Sequence, residues 1–177
     1  MQRVLIIATD GFEQSELMKP REMLMNAGAQ ITIASLKTGE IRGWDQKDWG
    51  DSIGVDKVIG DVSVEDYDAL LLPGGQMNPD ILRAESKVID MVRAFDAAGK
   101  PIAAICHAPW LLAEADLIEG RTVTSWPSIR TDLANAGAAV VDREVAIDGN
   151  LITSRNPDDI PAFTEALMAA LNMEVPA

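Results

Sequence analysis

Ile102-Ala103-Ala104-Ile105-Cys106-His107-Ala108-Pro109-Trp110 is the stretch that decides the reading of this chain. An unbroken apolar run hands over directly to a cysteine, a histidine and a helical pattern over residues 110–115. Continuous apolar runs of this length mark strands buried on both faces, as in a parallel sheet covered by helices. The same signature recurs at residues 4–8, 31–36 and 69–72, and shorter strands are expected at 123–125, 144–147 and 151–154. Helical patterns fall between them at 15–27, 86–98, 129–136 and 160–171. This alternation predicts an α/β fold, a doubly wound sandwich around a mostly parallel sheet. Asp148-Gly149-Asn150, set between two short strands, is a hairpin signal and predicts one late antiparallel pair. Residues 39–60, with Trp44 and Trp49, fit neither period and read as an excursion from the sheet.

At 177 residues the chain is expected to form a single domain over 1–177, with no repeat, linker or low-complexity tract. Its 47% hydrophobic and 24% charged content sets aside disordered, collagenous and disulfide-scaffold classes. A net charge of −13 repels phosphate backbones and anionic lipid, so no nucleic-acid or membrane partner is expected from electrostatics. The N-terminal apolar run is too brief for a signal peptide, and no run approaches a membrane span. With a lone cysteine, Cys106, no intrachain disulfide is possible, and the chain reads as cytoplasmic.

In open α/β sheets, ligands bind beyond the carboxyl ends of the strands. Chemistry-bearing residues cluster there. The first strand is followed by Asp10-Gly11-Phe12-Glu13-Gln14-Ser15-Glu16, the third by Pro73-Gly74-Gly75-Gln76 and the fourth by Cys106-His107. A cysteine at a sharp strand-to-helix turn has the geometry of a nucleophile elbow, and the following helix dipole is expected to lower its thiol pKa. The competing reading is an inert buried thiol. His107 offers either an imidazole base or a backbone N–H, and sequence leaves both open. Glu13 suits dipole complementation in a first helical turn, whereas Glu16 is the candidate for a carboxyl with raised pKa that donates to sulfur. Gly74-Gly75 either forms a plain turn or lets backbone N–H groups approach a developing oxyanion. Trp110 and Trp126 are core residues or pocket walls. No G-x-G-x-x-G or Walker pattern is present, and one histidine cannot build a usual zinc site, so no cofactor and no metal is expected.

Taken together, Asp10-Gly11-Phe12-Glu13 with Glu16, Leu72-Pro73-Gly74-Gly75, Gly99-Lys100-Pro101 and Ala104-Ile105-Cys106-His107-Ala108-Pro109 form an ordered set. Asp132 with Asn135-Ala136-Gly137-Ala138, and Asp148-Gly149-Asn150 through Thr153-Ser154-Arg155, extend it across nearly the whole chain. The set resembles the PfpI family, cysteine-dependent proteins related to the parkinsonism-associated deglycase and to class I glutamine amidotransferases. The resemblance implies a flavodoxin-like three-layer α/β/α sandwich, with Cys106 as nucleophile and Glu16 as its carboxyl partner. It also implies an oxyanion hole from the Gly75 and His107 N–H groups, and a homo-oligomer (a dimer or a trimer of dimers). In protease-like members the histidine pairs with an acid of a neighbouring subunit, and the matching position here is Asp80.

The leading functional expectation is a stress-protective cysteine enzyme acting on reactive dicarbonyls or their early adducts, as a cofactor-independent glyoxalase or deglycase. The alternatives are an intracellular cysteine peptidase using Cys106, His107 and Asp80, and a non-enzymatic sensor in which Cys106 is oxidised beside Glu16.

Overall fold

The computed structural model describes residues 1–177. In chain order it contains β1 (Arg3–Ile7), β2 (Phe12–Glu13), α1 (Gln14–Asn26), β3 (Gln30–Ser35), β4 (Glu40–Asp45), β5 (Asp48–Gly54) and β6 (Lys57–Val58). There follow β7 (Ala69–Leu72), α2 (Met77–Arg83), α3 (Ser86–Ala97), β8 (Ile102–Ile105), α4 (Pro109–Glu114) and β9 (Thr122–Val123). The chain finishes with α5 (Arg130–Asn135), β10 (Ala139–Val140), β11 (Ala146–Asp148), β12 (Leu151–Ser154) and α6 (Ile160–Ala170).

Seven strands form the central sheet in the order β11-β12-β8-β7-β1-β3-β6. All neighbours are parallel except β11 and β12, the antiparallel pair expected around Asp148-Gly149. Strand alternation divides the core in two. Leu5, Ile7, Leu70, Leu72, Ile102 and Ala104 face one side and pack with Val88, Val92, Phe95, Leu111 and Leu133 of α3, α4 and α5. Val4, Ile6, Leu71, Ala103 and Ile105 face the other and pack with Leu17, Leu24, Phe163 and Leu167 of α1 and α6. That double covering is why these strands read as continuous apolar runs, and it makes the fold the expected three-layer sandwich.

Three local expectations differ from what forms. Residues 123–125 do not extend the central sheet: β9 pairs in parallel with β10 in a separate two-stranded ladder. The Thr124 N–H leaves that ladder and donates to Thr153 Oγ1 at 3.0 Å. The excursion at 39–60 is a β4–β5 hairpin bulged between Arg42 and Trp44, after which β6 rejoins the main sheet. The hairpin also pairs with β2, and Trp44 and Trp49 meet edge to face with centroids 5.5 Å apart. Finally, the Gly-Gly turn leads into a helix of its own, α2, which carries Asp80 in its first turn.

Candidate active site

The carboxyl ends of β1, β7 and β8 converge as expected, and each delivers its polar residues to one place. Cys106 takes φ +65°, a left-handed conformation that a side-chain-bearing residue occupies only under constraint. The constraint is visible. The Cys106 N–H donates to the Ser154 carbonyl at 3.0 Å, continuing the β8–β12 ladder, while the Cys106 carbonyl accepts from the Trp126 N–H at 2.9 Å. Fixed on both sides, the residue turns the chain sharply from β8 toward α4 and is only 6% exposed.

Glu16 rises into the same spot from α1 and is fully buried. Its Oε1 accepts from the Gly74 N–H at 3.0 Å. Oε2 has no hydrogen-bond partner, and the Cys106 thiol lies near the carboxyl. Burial raises this carboxyl well above the ordinary glutamate range, and the nearby Glu13 charge raises it further, against the N–H groups of Gly74 and Gly75. Glu16 therefore holds its proton where an ordinary glutamate has lost it.

Burial also pushes the Cys106 thiol up, so the lowered thiol expected from a helix dipole is opposed here. The helix offers little against that burial: α4 is only six residues long, and it begins with Pro109, which has no N–H to give. A charged Glu16 adds to the rise, whereas the nearby N–H groups of Gly75 and His107 pull it down. Burial holds the proton on both groups, and they titrate as one coupled unit.

His107 lies against the thiol, with Nδ1 3.2 Å from Sγ. Burial lowers its imidazole below the ordinary histidine value, so the ring is neutral near pH 7. Trp110 meets the imidazole edge to face at 5.2 Å, and Trp126 stacks on it at 5.9 Å with planes 22° apart. Of the two roles left open in the sequence, the geometry makes both available: the imidazole touches the sulfur, and the backbone N–H is close enough to lower the thiol.

Gly74 and Gly75 pass so close to the site that only glycine fits. A Cβ on Gly74 would lie 2.6 Å from the Cys106 Cβ; Gly75 has φ +83°, and its Cβ would lie 2.5 Å from the Gly11 carbonyl oxygen. Asp80 is not part of this convergence. It is exposed on α2 and forms no hydrogen bond or ion pair within the chain. Glu13 stands at the N-terminal boundary of α1 without a capping hydrogen bond, accepts from the Ser15 hydroxyl at 3.0 Å and lines a polar cavity of about 410 Å³ with Asp45, Gln46 and Lys19. No cluster of metal-ligating side chains is present.

One residue absent from the sequence reading holds the site together. Asn78 is fully buried in α2, accepts from the Thr9 N–H at 2.8 Å, and donates to the carbonyls of Pro73 and Gly74 at 2.9 and 3.2 Å. It thereby ties the end of β1 to the Gly-Gly turn. The only sequence signal was an amide immediately before Pro79 in a turn region.

A parallel α/β/α sandwich with a strained cysteine elbow, a protonated carboxyl and an apposed imidazole defines a cysteine-centred class of protein. The chain belongs to the DJ-1/PfpI family, whose model matches residues 2–170. Among curated relatives, protein/nucleic acid deglycase 2 of Escherichia coli (strain K12) is 40% identical over 96% of this chain and 98% of that one. YraA of Bacillus subtilis (strain 168), whose given name suggests a cysteine protease, is 40% identical over 92% of this chain and 94% of that one. The crystal structure of Drosophila melanogaster DJ-1beta superposes with a TM-score of 0.86 at 33% identity, covering 96% of this chain and 90% of that one. The names of these relatives support an enzyme of the family.

Proposed function

We propose that the chain is a cofactor-independent cysteine enzyme that converts reactive dicarbonyls, free or as early adducts on amines, into hydroxy acids. The observation that carries this reading is the convergence on Cys106 of the buried Glu16 carboxyl, the Gly75 and His107 N–H groups and a neutral imidazole whose Nδ1 lies 3.2 Å from Sγ. Such a site suits addition of a thiolate to an aldehyde carbon.

With methylglyoxal, His107 takes the thiol proton, the Sγ–C bond forms as the C=O π bond opens, and the carbonyl oxygen takes a proton from Glu16, giving a hemithioacetal. The Glu16 carboxylate then removes the proton on that carbon while protonated His107 gives one to the ketone oxygen, leaving an enediol. Glu16 returns its proton to the former ketone carbon and His107 takes the proton of the other hydroxyl, which gives a lactoyl thioester; water cleaves it to lactic acid and the free thiol, and the proton on His107 passes back to Glu16. The sum is methylglyoxal plus water to lactate and a proton, with no external oxidant or reductant. From an amine adduct, the only difference is the first step, in which the C–N bond breaks and the amine leaves with a proton.

Lactate formation from methylglyoxal by the wild type and Cys106→Ser side by side tests the reading. Turnover by the wild type alone supports it, and absence of turnover in both overturns it.

A peptidase reading draws on the Cys106–His107 contact and the YraA name. It needs Asp80 of a neighbouring subunit to orient His107, because Asp80 has no partner in its own chain. Cleavage of unfolded protein that is lost in Asp80→Ala, with methylglyoxal turnover retained, would favour it.

A further inference from the structure

The imidazole of His107 is oriented by no polar group of its own chain except the sulfur it serves. The contact of Nδ1 with Sγ at 3.2 Å is its only side-chain hydrogen-bond contact, and no carboxylate of the chain is bonded to the ring. For His107 to take the thiol proton, Nδ1 has to be bare and the ring proton has to sit on Nε2. In nucleophile–histidine–acid triads a carboxylate behind the ring secures that tautomer and angle. Here the ring lies between two indoles instead, and the two are not equivalent. Trp126 is 38% exposed, and its indole N–H donates to nothing in the chain. Trp110 is tied from three sides. Its backbone N–H donates to the His107 carbonyl at 3.0 Å, and its indole Nε1–H donates to Asp132 Oδ2 at 2.9 Å, in the first turn of α5. Arg83, in the last turn of α2, lies over the indole at 5.2 Å and is held by Glu114 at the end of α4 at 3.2 Å. Asp132 is exposed, so its bond to the indole is not made to satisfy a buried carboxylate.

We infer that Trp110 and Asp132 are positioning residues for His107: Asp132 fixes the indole, and the edge-to-face contact at 5.2 Å holds the imidazole with its bare Nδ1 on the sulfur. The orienting acid thus stands one ring further back than in a triad and acts through an aromatic contact. This rests on the proposed dicarbonyl reaction, in which His107 takes the thiol proton, and it assigns the residues that prepare that step.

His107 is the only histidine of the chain, so its ring nitrogens give one unambiguous pair of NMR signals in isotope-labelled full-length protein. Spectra are taken at about pH 8, where an ordinary imidazole is neutral. The wild type should show the Nε2–H tautomer alone. Asp132→Ala and Trp110→Phe both delete the indole bond; each should average the two tautomers and lower kcat for lactate about tenfold with KM little changed. The double variant should be no worse than either single one, because both remove the same bond. Asp132→Asn keeps an acceptor and should lose less than Asp132→Ala, whereas Trp110→Leu, which removes the ring, should lose more than Trp110→Phe. Circular dichroism checks folding, and if Trp110→Leu does not fold, the pair of Asp132→Ala and Trp110→Phe decides alone. A single tautomer with wild-type kcat in Asp132→Ala would overturn the assignment. So would additive losses in the double variant, or release of the ring by Asp80→Ala in place of Asp132→Ala. Absence of lactate formation in the wild type defeats the dicarbonyl reading, while the tautomer spectra and the rate of Cys106 alkylation by iodoacetamide still report on the positioning.

Discussion

The buried Glu16 carboxyl accepts the Gly74 N–H at 3.0 Å, so the acid of α1 is clipped to the glycine turn that follows β7. Neither partner works alone. The turn comes close enough to be bonded only because residue 74 has no side chain, and the acid stays protonated only because the turn and Cys106 exclude water from it. Acid, turn and sulfur thus form one unit, and changes to its parts have separable consequences.

Cys106→Ser should reduce turnover to less than about 1% of wild type while the protein stays folded, since a hydroxyl without a strong base is a far weaker nucleophile than a thiolate. Purified protein compared by lactate release and circular dichroism gives the answer. Residual activity well above that level would remove the cysteine from the mechanism.

Glu16→Leu deletes the carboxyl donor and should shift the alkylation profile of Cys106 by iodoacetamide to higher pH; Glu16→Gln, which keeps an N–H donor, should shift it less. An unmoved profile would mean that the backbone N–H groups alone set the thiol.

The same carboxyl leaves a mark on stability. A group that holds its proton more tightly folded than unfolded stabilises the fold at low pH, and this contribution fades as pH rises from the ordinary glutamate value toward the folded one. In a Cys106→Ser background, to separate it from the thiol, Glu16→Gln should therefore compare better with its parent at about pH 8 than at about pH 5. Urea midpoints at the two pH values measure this; the opposite trend would show that Glu16 is ionised in the fold.

Gly75→Ala places a methyl against the Gly11 carbonyl oxygen in a left-handed backbone position, and the expected cost is about 2 kcal/mol or more. Activity should fall with it, because the Gly75 N–H must swing away from the sulfur. Thermal unfolding that matches wild type would contradict the close approach.

Asn78→Ala leaves the Thr9 N–H and the Pro73 and Gly74 carbonyls without their buried partner, and should destabilise by about 2–4 kcal/mol. Asn78→Asp keeps the acceptor for Thr9 but loses both donors, so it should not rescue. Chemical denaturation of both variants discriminates a lock from a mere filler.

The sandwich was legible because its strands are apolar on both sides, and β1, β3, β7 and β8 fall where their runs fall. The site was partly legible because parallel sheets gather strand ends, which brings Glu16, Gly75 and Cys106 together from distant segments. What escaped notice has no periodic signature. Strand β10 is two residues long, too short to show a pattern, and β9, expected at 123–125, spans only Thr122–Val123. The β4–β5 hairpin is exposed along much of its length and bulged, so its alternation is broken. Asn78 matters through bonds to Thr9, Pro73 and Gly74, and a partner 69 positions away leaves no trace in local sequence. The thiol was misjudged for a similar reason: the dipole argument counted a helix start, whereas burial of the sulfur depends on the whole assembly of loops around it.

The central sheet is bounded by β6, two residues long, on one side and by β11, three residues and antiparallel, on the other. Open strand edges invite another chain to add on by backbone pairing, and brief or reversed edge strands remove that invitation. The central sheet therefore offers almost no template for amyloid-like growth, and the one long open edge of the protein is that of β5, seven residues on the outside of the β4–β5 arm.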